Sequence, residues 1–497
     1  QVKIRGYRVE PGEVESVLGS TEGVQSAIVL PLQNQPALNN QLYAFLAVDN
    51  NIKPLLFNYL EILDEDIAVK SDLHILPNGL PIFCSNINEV RFLYNEIFHD
   101  LCYLKHGLLL NKASTVIDIG ANSGFFTVFL NLLNRDITIY SVEPIPDVFK
   151  QLVNNRRLYG IKGKAYQMAA FNEATEIDFT YYPDVSIVSG INDDKAMVKQ
   201  VVKSYLESTE TNTWSEEEIN ELLDAKLDTK ELRCKTISLS DIIERENLDC
   251  VDLIKIDAEN SEEYILEGIK ESHWGMIQSL IVEVHNIEGR LERIINKLRE
   301  KDFDIMVEKE ASLAKDDILY NLFAFRKSSS ALTKEVGRQF EARVTEWTAP
   351  WDFKQNVALV LQEKLPAYMM PHRMYLLTKF PLTSSSKIDK NALLMMPFES
   401  DAIVETRPAS NYEEAIVTIW QDLLEVEYIG LADDFFKLGG DSLIAIRAIS
   451  AIRKKFGVDI SIRTFFELPT VEALAKFIEI STRNITSNAE EFQTITL

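Results

Sequence analysis

The stretch VIDIGANSGFFTVFL, residues 116–130, constrains the fold more than any other part of the sequence. It has the pattern of a buried strand, a turn with Gly120 and Gly124, and an apolar helix. Glycine lets the backbone of such a turn approach a ligand closely, and a helix N-terminus favours polar or anionic groups. The next strand ends in SVEP, which places Glu143 where a carboxylate can accept both hydroxyl groups of a ribose. These features predict a nucleoside site at the switch point of an open sheet.

Strand and helix patterns extend this α/β unit over residues 53–327. The segments TVIDIG, ITIYSVEP, GKAYQMAAF, VDLIKIDA and SLIVEVH each have a strand pattern followed by a helical pattern. Because parallel strands need crossover connections, this alternation predicts a parallel sheet. Residues 193–231 are acidic, carry a capping box at SEEE and are predicted to be helical. They form either a lid over the site or a solvated insertion.

Shorter units flank the α/β unit. LYAFLAV before it and FKQNVALVLQEKL after it have the patterns of sequential elements of one small fold, and insertions are tolerated where the two ends lie close at a surface turn. The strand-like start, QVKIRGYRVE, favours a piece of a longer polypeptide. The predicted segments are a first small part (1–50), the inserted α/β unit (53–327), a second small part (328–398), a linker (399–410), a four-helix unit (411–480) and a frayed tail (481–497).

Composition excludes several functional classes. A formal net charge of −25 argues against nucleic-acid binding, which needs a basic surface. No apolar segment has the length and lack of charge of a membrane span, and no signal peptide is recognisable. The four cysteines (Cys84, Cys102, Cys234 and Cys250) form neither a CxxC pair nor a metal-ligand spacing, which favours a reducing cytoplasm.

Two neighbouring strands are predicted to end in reactive side chains. IKIDAEN places Lys255 and Asp257 on one face of its strand, with Glu259 just beyond, and VEVH places Glu283 and His285 on one face of the next strand. All five are expected at the carboxyl edge of the sheet. We predict that His285 or Asp257 removes a proton from the substrate. Lys255 and Glu259 are predicted to orient the substrate or the base.

Other interpretations of these residues stay open. Lys255 can instead form a half-buried ion pair with Asp257 or Glu283. The carboxylates can instead hold a divalent cation, but their spacing is not diagnostic, and no metal site is predicted.

DIGANSG followed by VEP resembles S-adenosylmethionine-dependent methyltransferases and differs from the GxGxxG dinucleotide fingerprint. With IKIDAENSEEYILEGI and LIVEVH in the expected order, residues 70–327 resemble the FkbM-type O-methyltransferase family. The resemblance implies a Rossmann-like class I sheet with S-adenosylmethionine as its cofactor, released as S-adenosylhomocysteine. The cofactor contacts that it implies are Asp118, Gly120, Asn122, Gly124 and Glu143.

The stretch LGGDSL, residues 438–443, precedes an amphipathic helix pattern that starts at about Ser442. Asp441 beside the hydroxyl would repel an anion, so covalent modification is favoured over permanent phosphate binding, although a plain serine N-cap also explains the spacing. Residues 411–480, from ASNYEEAIVTIWQDLL to FFELPTVEALA, resemble the peptidyl-carrier domains of nonribosomal peptide synthetases. The resemblance implies a 4′-phosphopantetheine arm on Ser442, which gives its cargo a high effective concentration at every site within reach.

QVKIRGYRVEPGEVE and LPAYMMPHRMYLLTKFPLTSSSKIDKNAL resemble the two ends of the small C-terminal subdomain of an amino-acid adenylation domain. Lys387 matches the lysine that contacts the acyl-adenylate in that family, although SSSK replaces the usual asparagine-glycine before it. The resemblance implies an adenylation domain interrupted by a methyltransferase. Because its large subdomain would lie upstream, this chain alone is not expected to adenylate a substrate.

The expected function is O-methylation of an aminoacyl or related acyl group tethered to Ser442 during nonribosomal peptide synthesis. The alternatives are N-methylation of the tethered amino group and a catalytically silent docking scaffold. The expected partners are the upstream adenylation subdomain, other synthetase modules, a phosphopantetheinyl transferase and the tethered acyl substrate.

Overall fold

In the computed structural model, hydrophobic cores form around a seven-stranded sheet, around a small three-stranded sheet, and in a helical unit towards the C-terminus. In the part of the chain that the structure describes, every helix is too short or too polar to span a lipid bilayer. The described residues are 2–4, 7–32, 41–107, 110, 113–183, 185–191, 199, 229–309, 319–326, 347–396, 410–424, 429–431, 433, 435, 438, 440, 442–458, 460, 464–465, 468–479 and 481–482.

Strands and helices are numbered in chain order. The strands are β1 (Val2–Ile4), β2 (Tyr7–Val9), β3 (Val24–Leu32), β4 (Gln41–Val48), β5 (Leu73–Ile75), β6 (Pro81–Phe83), β7 (Thr115–Ile119), β8 (Thr138–Val142), β9 (Ala165–Tyr166), β10 (Ala169–Ala170), β11 (Glu176–Tyr181), β12 (Lys230–Ile237), β13 (Leu253–Ile256), β14 (Ser279–His285), β15 (Phe303–Lys309), β16 (Leu319–Arg326) and β17 (Arg373–Leu377). The α-helices are α1 (Pro11–Gly19), α2 (Pro54–Glu65), α3 (Ile87–Leu93), α4 (Phe125–Leu133), α5 (Pro146–Tyr159), α6 (Leu239–Arg245), α7 (Glu262–Glu267), α8 (Arg290–Glu300), α9 (Pro350–Lys364), α10 (Lys390–Met395), α11 (Asn411–Leu424) and α12 (Ser442–Phe456).

The seven-stranded sheet has the order β15-β16-β14-β13-β7-β8-β9. Its strands from β14 to β9 are parallel, and both faces are apolar because side chains alternate along each strand. Ile117 joins one core together with Leu298 of α8, whereas Val116 joins the other core together with Phe129 of α4. Helices therefore cover both faces, and the predicted Rossmann-like sheet is confirmed.

Two details of the predicted sheet are wrong. β16 runs antiparallel to both β14 and β15, and antiparallel neighbours do not need the crossover connections from which the parallel sheet was predicted. The predicted strand GKAYQMAAF is divided into β9, which pairs with β8, and β10, which pairs with β12 in a separate three-stranded sheet. β10 is followed by another strand, β11, and not by the predicted helix.

The predicted helical segment 193–231 lies almost wholly outside the described residues. Lys199 is helical, and β12 begins at Lys230, so the last two residues of the predicted segment belong to a strand. The capping box at Ser215 is among the residues that are not described.

A small sheet unites segments from the two sides of the α/β unit. β4 lies between β3, which is antiparallel to it, and β17, which is parallel to it with Arg373 opposite Tyr43. Helices α1 and α9 share the core of this sheet, in which Leu46 and Val357 are fully buried. The chain therefore leaves this small unit after β4 and returns to it with α9 and β17.

Helix α2 connects the small unit to the larger one. Tyr59 of α2 shares a core with the small sheet, while α2 also packs against α5 of the seven-stranded unit. At its end, Glu65 accepts two hydrogen bonds from Arg157 of α5, at 2.6 and 2.8 Å. The two units therefore contact each other directly through this helix.

The C-terminal unit is helical. Residues 471–479 form a further helix beside α11 and α12, and the three share one apolar core. The rings of Trp420, Phe435 and Phe465 contact one another in this core, with Trp420 and Phe435 centroids 4.7 Å apart. The predicted helical carrier fold is confirmed.

Candidate active site

Neighbouring parts of the protein leave no space for a side chain at either of the two glycines in the turn after β7. Gly120 has φ +66°, and a Cβ atom there would lie 1.7 Å from the Asp257 carbonyl oxygen. Gly124 has φ +91°, and a Cβ atom there would lie 2.8 Å from Leu152. Because a side chain at Gly120 would collide with backbone, this glycine allows the end of β13 to lie against the turn.

Glu143 is held by backbone groups of this turn and of its own loop. The Asn122 amide donates to Oε2 at 3.0 Å, and the Ile145 amide donates to Oε1 at 2.9 Å. Asn122 has φ +48°, and its side chain donates to Ser186 Oγ at 3.0 Å, which fixes the turn. Glu143 is therefore a preoriented carboxylate at the carboxyl end of β8.

Burial raises the pKa of Glu143 to about 7, against the effect of the two backbone hydrogen bonds, which lower it. The residue is 4% exposed, so few water molecules can stabilise its charge. A ligand hydroxyl that donates to this carboxylate would replace that solvation. The site thus favours a neutral diol over an anion.

Asp118 lies beneath the turn and is fully buried. Its Oδ2 accepts a hydrogen bond from Thr127 of α4 at 2.7 Å, and the Lys255 ammonium lies 3.4 Å from its Oδ1. Burial raises the pKa of Asp118, and Lys255 opposes that effect. In this position Asp118 fixes the start of α4, and a direct contact with a cofactor stays a prediction.

Lys255 connects the turn to the end of β13. Its ammonium donates to the Gly120 carbonyl at 3.0 Å, lies 3.1 Å from Asp257 Oδ2 and lies 5.5 Å from the centre of the Tyr103 ring. Burial lowers the pKa of Lys255, but the charges of Asp257 and Asp118 outweigh it and raise the pKa above its usual value. The structure therefore contains the buried ion pair with Asp257 and leaves Lys255 little access to a substrate.

Asp257 is the more accessible member of this pair, since its side chain is 29% exposed and that of Lys255 is 4% exposed. The Tyr103 hydroxyl donates to Asp257 Oδ2 at 3.0 Å. Burial raises the pKa of the Tyr103 hydroxyl, which stays a neutral donor. Sequence reasoning missed Tyr103, because nothing in the surrounding DLCYLKHG signals a functional residue.

His285 is buried between two carboxylates. Its Nδ1 lies 2.7 Å from Glu262 Oε1 and its Nε2 lies 2.9 Å from Glu259 Oε2, while Arg290 donates to the other Glu262 oxygen at 2.7 Å. Burial lowers the pKa of His285, but Glu259 and Glu262 outweigh it and raise the pKa well above its usual value. Each ring nitrogen therefore faces a carboxylate, and the role of His285 as a general base stays a prediction.

Glu283 completes this side of the site. Burial and the neighbouring Asp257 raise the pKa of Glu283 well above its usual value. Ligand atoms of Glu259, Glu283 and His285 all lie within 4.8 Å of one another, a set that can hold a metal ion. The structure thus brings the five predicted residues to one sheet edge and adds Tyr103, Glu262 and Arg290 to them.

Comparison with known proteins identifies the larger unit. Residues 118–305 match the family model "Methyltransferase FkbM domain". The chain is 33% identical over 244 residues to 31-O-demethyl-FK506 methyltransferase FkbM of Streptomyces tacrolimicus, a match that covers 49% of this chain and 93% of that protein. The chain belongs to the FkbM methyltransferase family.

Other matches cover the remaining segments of this FkbM family member. Residues 414–478 match the family model "Phosphopantetheine attachment site". AMB antimetabolite synthetase AmbE of Pseudomonas aeruginosa is 28% identical over 495 residues, which is 96% of this chain and 22% of AmbE. Bacitracin synthase 1 of Bacillus licheniformis is 40% identical over 119 residues, 24% of this chain and 2% of that protein. The chain therefore spans only a small part of these large synthetases.

These assignments confirm the two cofactors predicted from the sequence, S-adenosylmethionine and covalent 4′-phosphopantetheine. The residues around the first turn fit S-adenosylmethionine. Glu143 offers two oriented oxygens to a ribose, and it follows β8, the strand beside β7. The strand order reverses between β7 and β13, and open sheets bind nucleosides at such a switch point.

In the carrier unit, α12 begins at Ser442. The side chain of Ser442 is not among those described, so its modification stays a prediction. Gly440 just before it donates to the Phe435 carbonyl at 2.9 Å, and a Cβ atom at Gly440 would lie 2.3 Å from the Phe435 ring. This glycine therefore lets the turn before α12 pack against the apolar core.

Lys387 lies exposed on a tight loop of the small unit. Its carbonyl accepts a hydrogen bond from the Thr383 amide at 2.7 Å, and its amide donates to Thr383 Oγ1 at 3.2 Å. Ser386 has φ +59°, a conformation that glycine adopts more readily. Ser386 stands where the adenylation resemblance has a glycine, and it keeps the left-handed turn. A contact of Lys387 with an adenylate stays a prediction.

Proposed function

We propose that this chain is part of a nonribosomal peptide synthetase module in which the FkbM domain methylates an oxygen of an acyl group tethered to Ser442. The observation that carries the proposal is one sheet edge with a backbone-held Glu143 and a partly exposed Asp257, in a chain that also contains a carrier domain. The first carboxylate suits a nucleoside and the second suits proton transfer.

S-adenosylmethionine, when bound, supplies an electrophilic methyl group on a sulfonium sulfur. Glu143 and the Gly120 turn hold the nucleoside end of this cofactor. Asp257 follows the neighbouring strand β13, and its backbone touches the same turn, so it lies beside the reacting centre. Asp257 accepts the proton of the acceptor O–H group as the oxygen takes the methyl group.

Positioning is the main contribution of the protein to such a displacement. Well-oriented reactants gain roughly 7–11 kcal/mol over free reactants in solution. Lys255 and Tyr103 both contact Asp257 Oδ2 and so restrict the rotation of its carboxylate. The phosphopantetheine arm restricts the acceptor in the same way, because it keeps the acyl group near the site at high effective concentration.

The surrounding domains are proposed from the small sheet. Residues 1–50 and 328–398 form an adenylation C-terminal subdomain that the methyltransferase, 53–327, interrupts. The shared sheet of β4 and β17 supports this arrangement, and so does the continuous match of 495 residues to AmbE. The linker 399–410, the carrier domain 411–480 and the tail 481–497 follow. The large adenylation subdomain, other modules and a phosphopantetheinyl transferase are the proposed partners.

An oxygen acceptor is supported by the name of the relative from Streptomyces tacrolimicus, which describes an O-methyltransferase. A silent scaffold is disfavoured, because such a scaffold has no need of a buried carboxylate oriented by two backbone amides. N-methylation of the tethered amino group is the outcome that would replace the proposal.

The experiment is single-turnover methylation on the loaded carrier. The full chain is charged with hydroxyacyl or aminoacyl pantetheine by a phosphopantetheinyl transferase and incubated with isotopically labelled S-adenosylmethionine. Mass spectrometry of the intact chain and of the released arm then locates the label. We expect label on an acyl oxygen, and none in Ser442→Ala. Label on nitrogen would overturn the assignment of the acceptor, and no label with any cargo would overturn the function.

A further inference from the structure

Glu259, Glu283 and His285 form a mixed cluster of two carboxylates and one imidazole. Their ligand atoms all lie within 4.8 Å of one another. A single divalent cation with bonds of about 2.0–2.6 Å spans such separations. The residues come from two neighbouring strand ends, since Glu259 follows β13 and the other two lie on β14. The cluster is thus held by the sheet itself.

The surroundings of His285 have the form found around metal-binding histidines. Nδ1 lies 2.7 Å from Glu262, whose carboxylate is fully buried and is held by Arg290 at 2.7 Å. A carboxylate in this position fixes the imidazole tautomer with its proton on Nδ1 and presents Nε2 to an ion. Nε2 lies on the side of Glu259, at 2.9 Å, where the ion would sit.

The distribution of charge in the site also favours a cation. Asp257 is paired with Lys255, and Glu262 is paired with Arg290. Among the residues that the structure describes, none lies within ion-pairing or hydrogen-bonding distance of the Glu283 carboxylate. A half-buried carboxylate that makes no direct ion pair and lies close to another carboxylate is costly, and a dication between Glu259 and Glu283 lowers that cost.

We infer that Glu259, Glu283 and His285 bind a divalent cation beside the methyl acceptor, with Glu262 and Arg290 as the outer support of His285. Oxygen-rich ligands with one imidazole suit Mn²⁺ or Mg²⁺. Three protein ligands leave positions open on such an ion. This inference rests on the proposed function for what fills those positions.

The open positions favour an acceptor with two oxygens. A tethered acyl group that carries its hydroxyl on the α or β carbon can offer that hydroxyl and the thioester carbonyl to the same ion. Coordination makes the hydroxyl proton easier to lose, and Asp257 lies on the adjacent strand end to accept it. The inferred substrate class is therefore a hydroxyacyl thioester and not a simple aminoacyl thioester.

The test measures Mn²⁺ binding to the full chain after treatment with a chelator. Free Mn²⁺ is followed by electron paramagnetic resonance during titration, without cofactor or substrate. We expect one tight site in the wild type, at least about tenfold weaker binding in Glu283→Gln, and weakening of about 10–100-fold in Glu262→Gln. Glu244→Gln is the matched control, because this exposed glutamate pairs with Lys270 elsewhere on the surface and should bind like the wild type.

The wild-type titration decides the inference even if a variant fails to fold. Absence of a tight Mn²⁺ site in the wild type would overturn it, as would equal binding by wild type and folded Glu283→Gln. Full methylation in the presence of a chelator, with no Mn²⁺ binding, would overturn the cation site and leave the proposed function intact. Tight Mn²⁺ binding without methylation of any tethered cargo would support the site and overturn the function.

Discussion

The two halves of the active site are built by different means. In the cofactor half, backbone amides of Asn122 and Ile145 orient one carboxylate, Glu143. In the acceptor half, side chains orient side chains, as Tyr103 and Lys255 do for Asp257. Backbone orientation follows from a short local motif, whereas side-chain orientation depends on residues far apart in the chain. The cofactor half is therefore the part that sequence motifs reveal.

The largest effect is expected in the acceptor half. Asp257→Asn removes the proposed proton acceptor, so single-turnover methylation should slow by about 10²–10⁴-fold while cofactor affinity is retained. Asp178→Asn, an exposed change on β11, is the control and should leave the rate unchanged. An unchanged rate in Asp257→Asn would show that the proton leaves by another route.

The next prediction tests how closely the Gly120 turn, in the cofactor half, approaches the end of β13, in the acceptor half. Gly120→Ala combines a positive φ with a collision against the Asp257 carbonyl, and it should lower the free energy of unfolding by about 3 kcal/mol or more. Gly160→Ala shares the positive φ but meets nothing within 4 Å, and it should cost only about 1 kcal/mol. Chemical denaturation measures both values. Equal costs would contradict the close approach of the turn to β13.

The cofactor half should respond to pH. Burial raises the pKa of Glu143 to about 7, so the protonated form contributes stability at low pH that is lost as pH rises through about 7. Ribose hydroxyls need the carboxylate form, so S-adenosylmethionine affinity should rise as pH rises to about 8 and fall by about tenfold per pH unit well below 7. Calorimetry checks this dependence.

Glu143→Gln should bind the cofactor about tenfold more weakly than the wild type at pH 8 and lose this pH dependence. Glu176→Gln, on the exposed strand β11, should keep both the affinity and its pH profile. A pH-dependent affinity that survives in Glu143→Gln would assign the titration to another group.

The smallest effect concerns the support of Asp257. Tyr103→Phe removes one hydrogen bond to its carboxylate, so the methylation rate should fall by about 2–10-fold. Tyr159→Phe is the matched control, since its hydroxyl donates to the Pro81 carbonyl away from the site. If both variants kept the wild-type rate, Tyr103 would have a role only in packing.

The same contrast explains which parts of the structure could be predicted. The strand, turn and helix around Gly120 follow from local periodicity and glycine geometry, and Glu143 follows from its place at a strand end. Tyr103 could not be predicted, because it reaches Asp257 across 154 positions of sequence. Glu262 could have been noticed in the sequence, since it lies three residues after Glu259 in the same motif. Its role, however, follows only from its contact with His285, which the sequence does not show.

His285 shows most clearly what the sequence can and cannot predict. VEVH correctly places the imidazole at the edge of the sheet. Whether an imidazole accepts or donates a proton depends on its partners, and here the partners of the two ring nitrogens are the carboxylates of Glu262 and Glu259. In the sheet, the place of β16 depends in the same way on its antiparallel pairing with the more distant β14, which local periodicity does not reveal.

The most direct test of the central claim compares one hydroxyacyl group in two forms. Single-turnover methylation is measured for the group carried on Ser442 and for the same group on free pantetheine at micromolar concentration. The account predicts rapid methylation of the carrier-bound group and little of the free one, because the tether supplies a high local concentration. Equal rates for the two forms, or methylation of the free form alone, would contradict it.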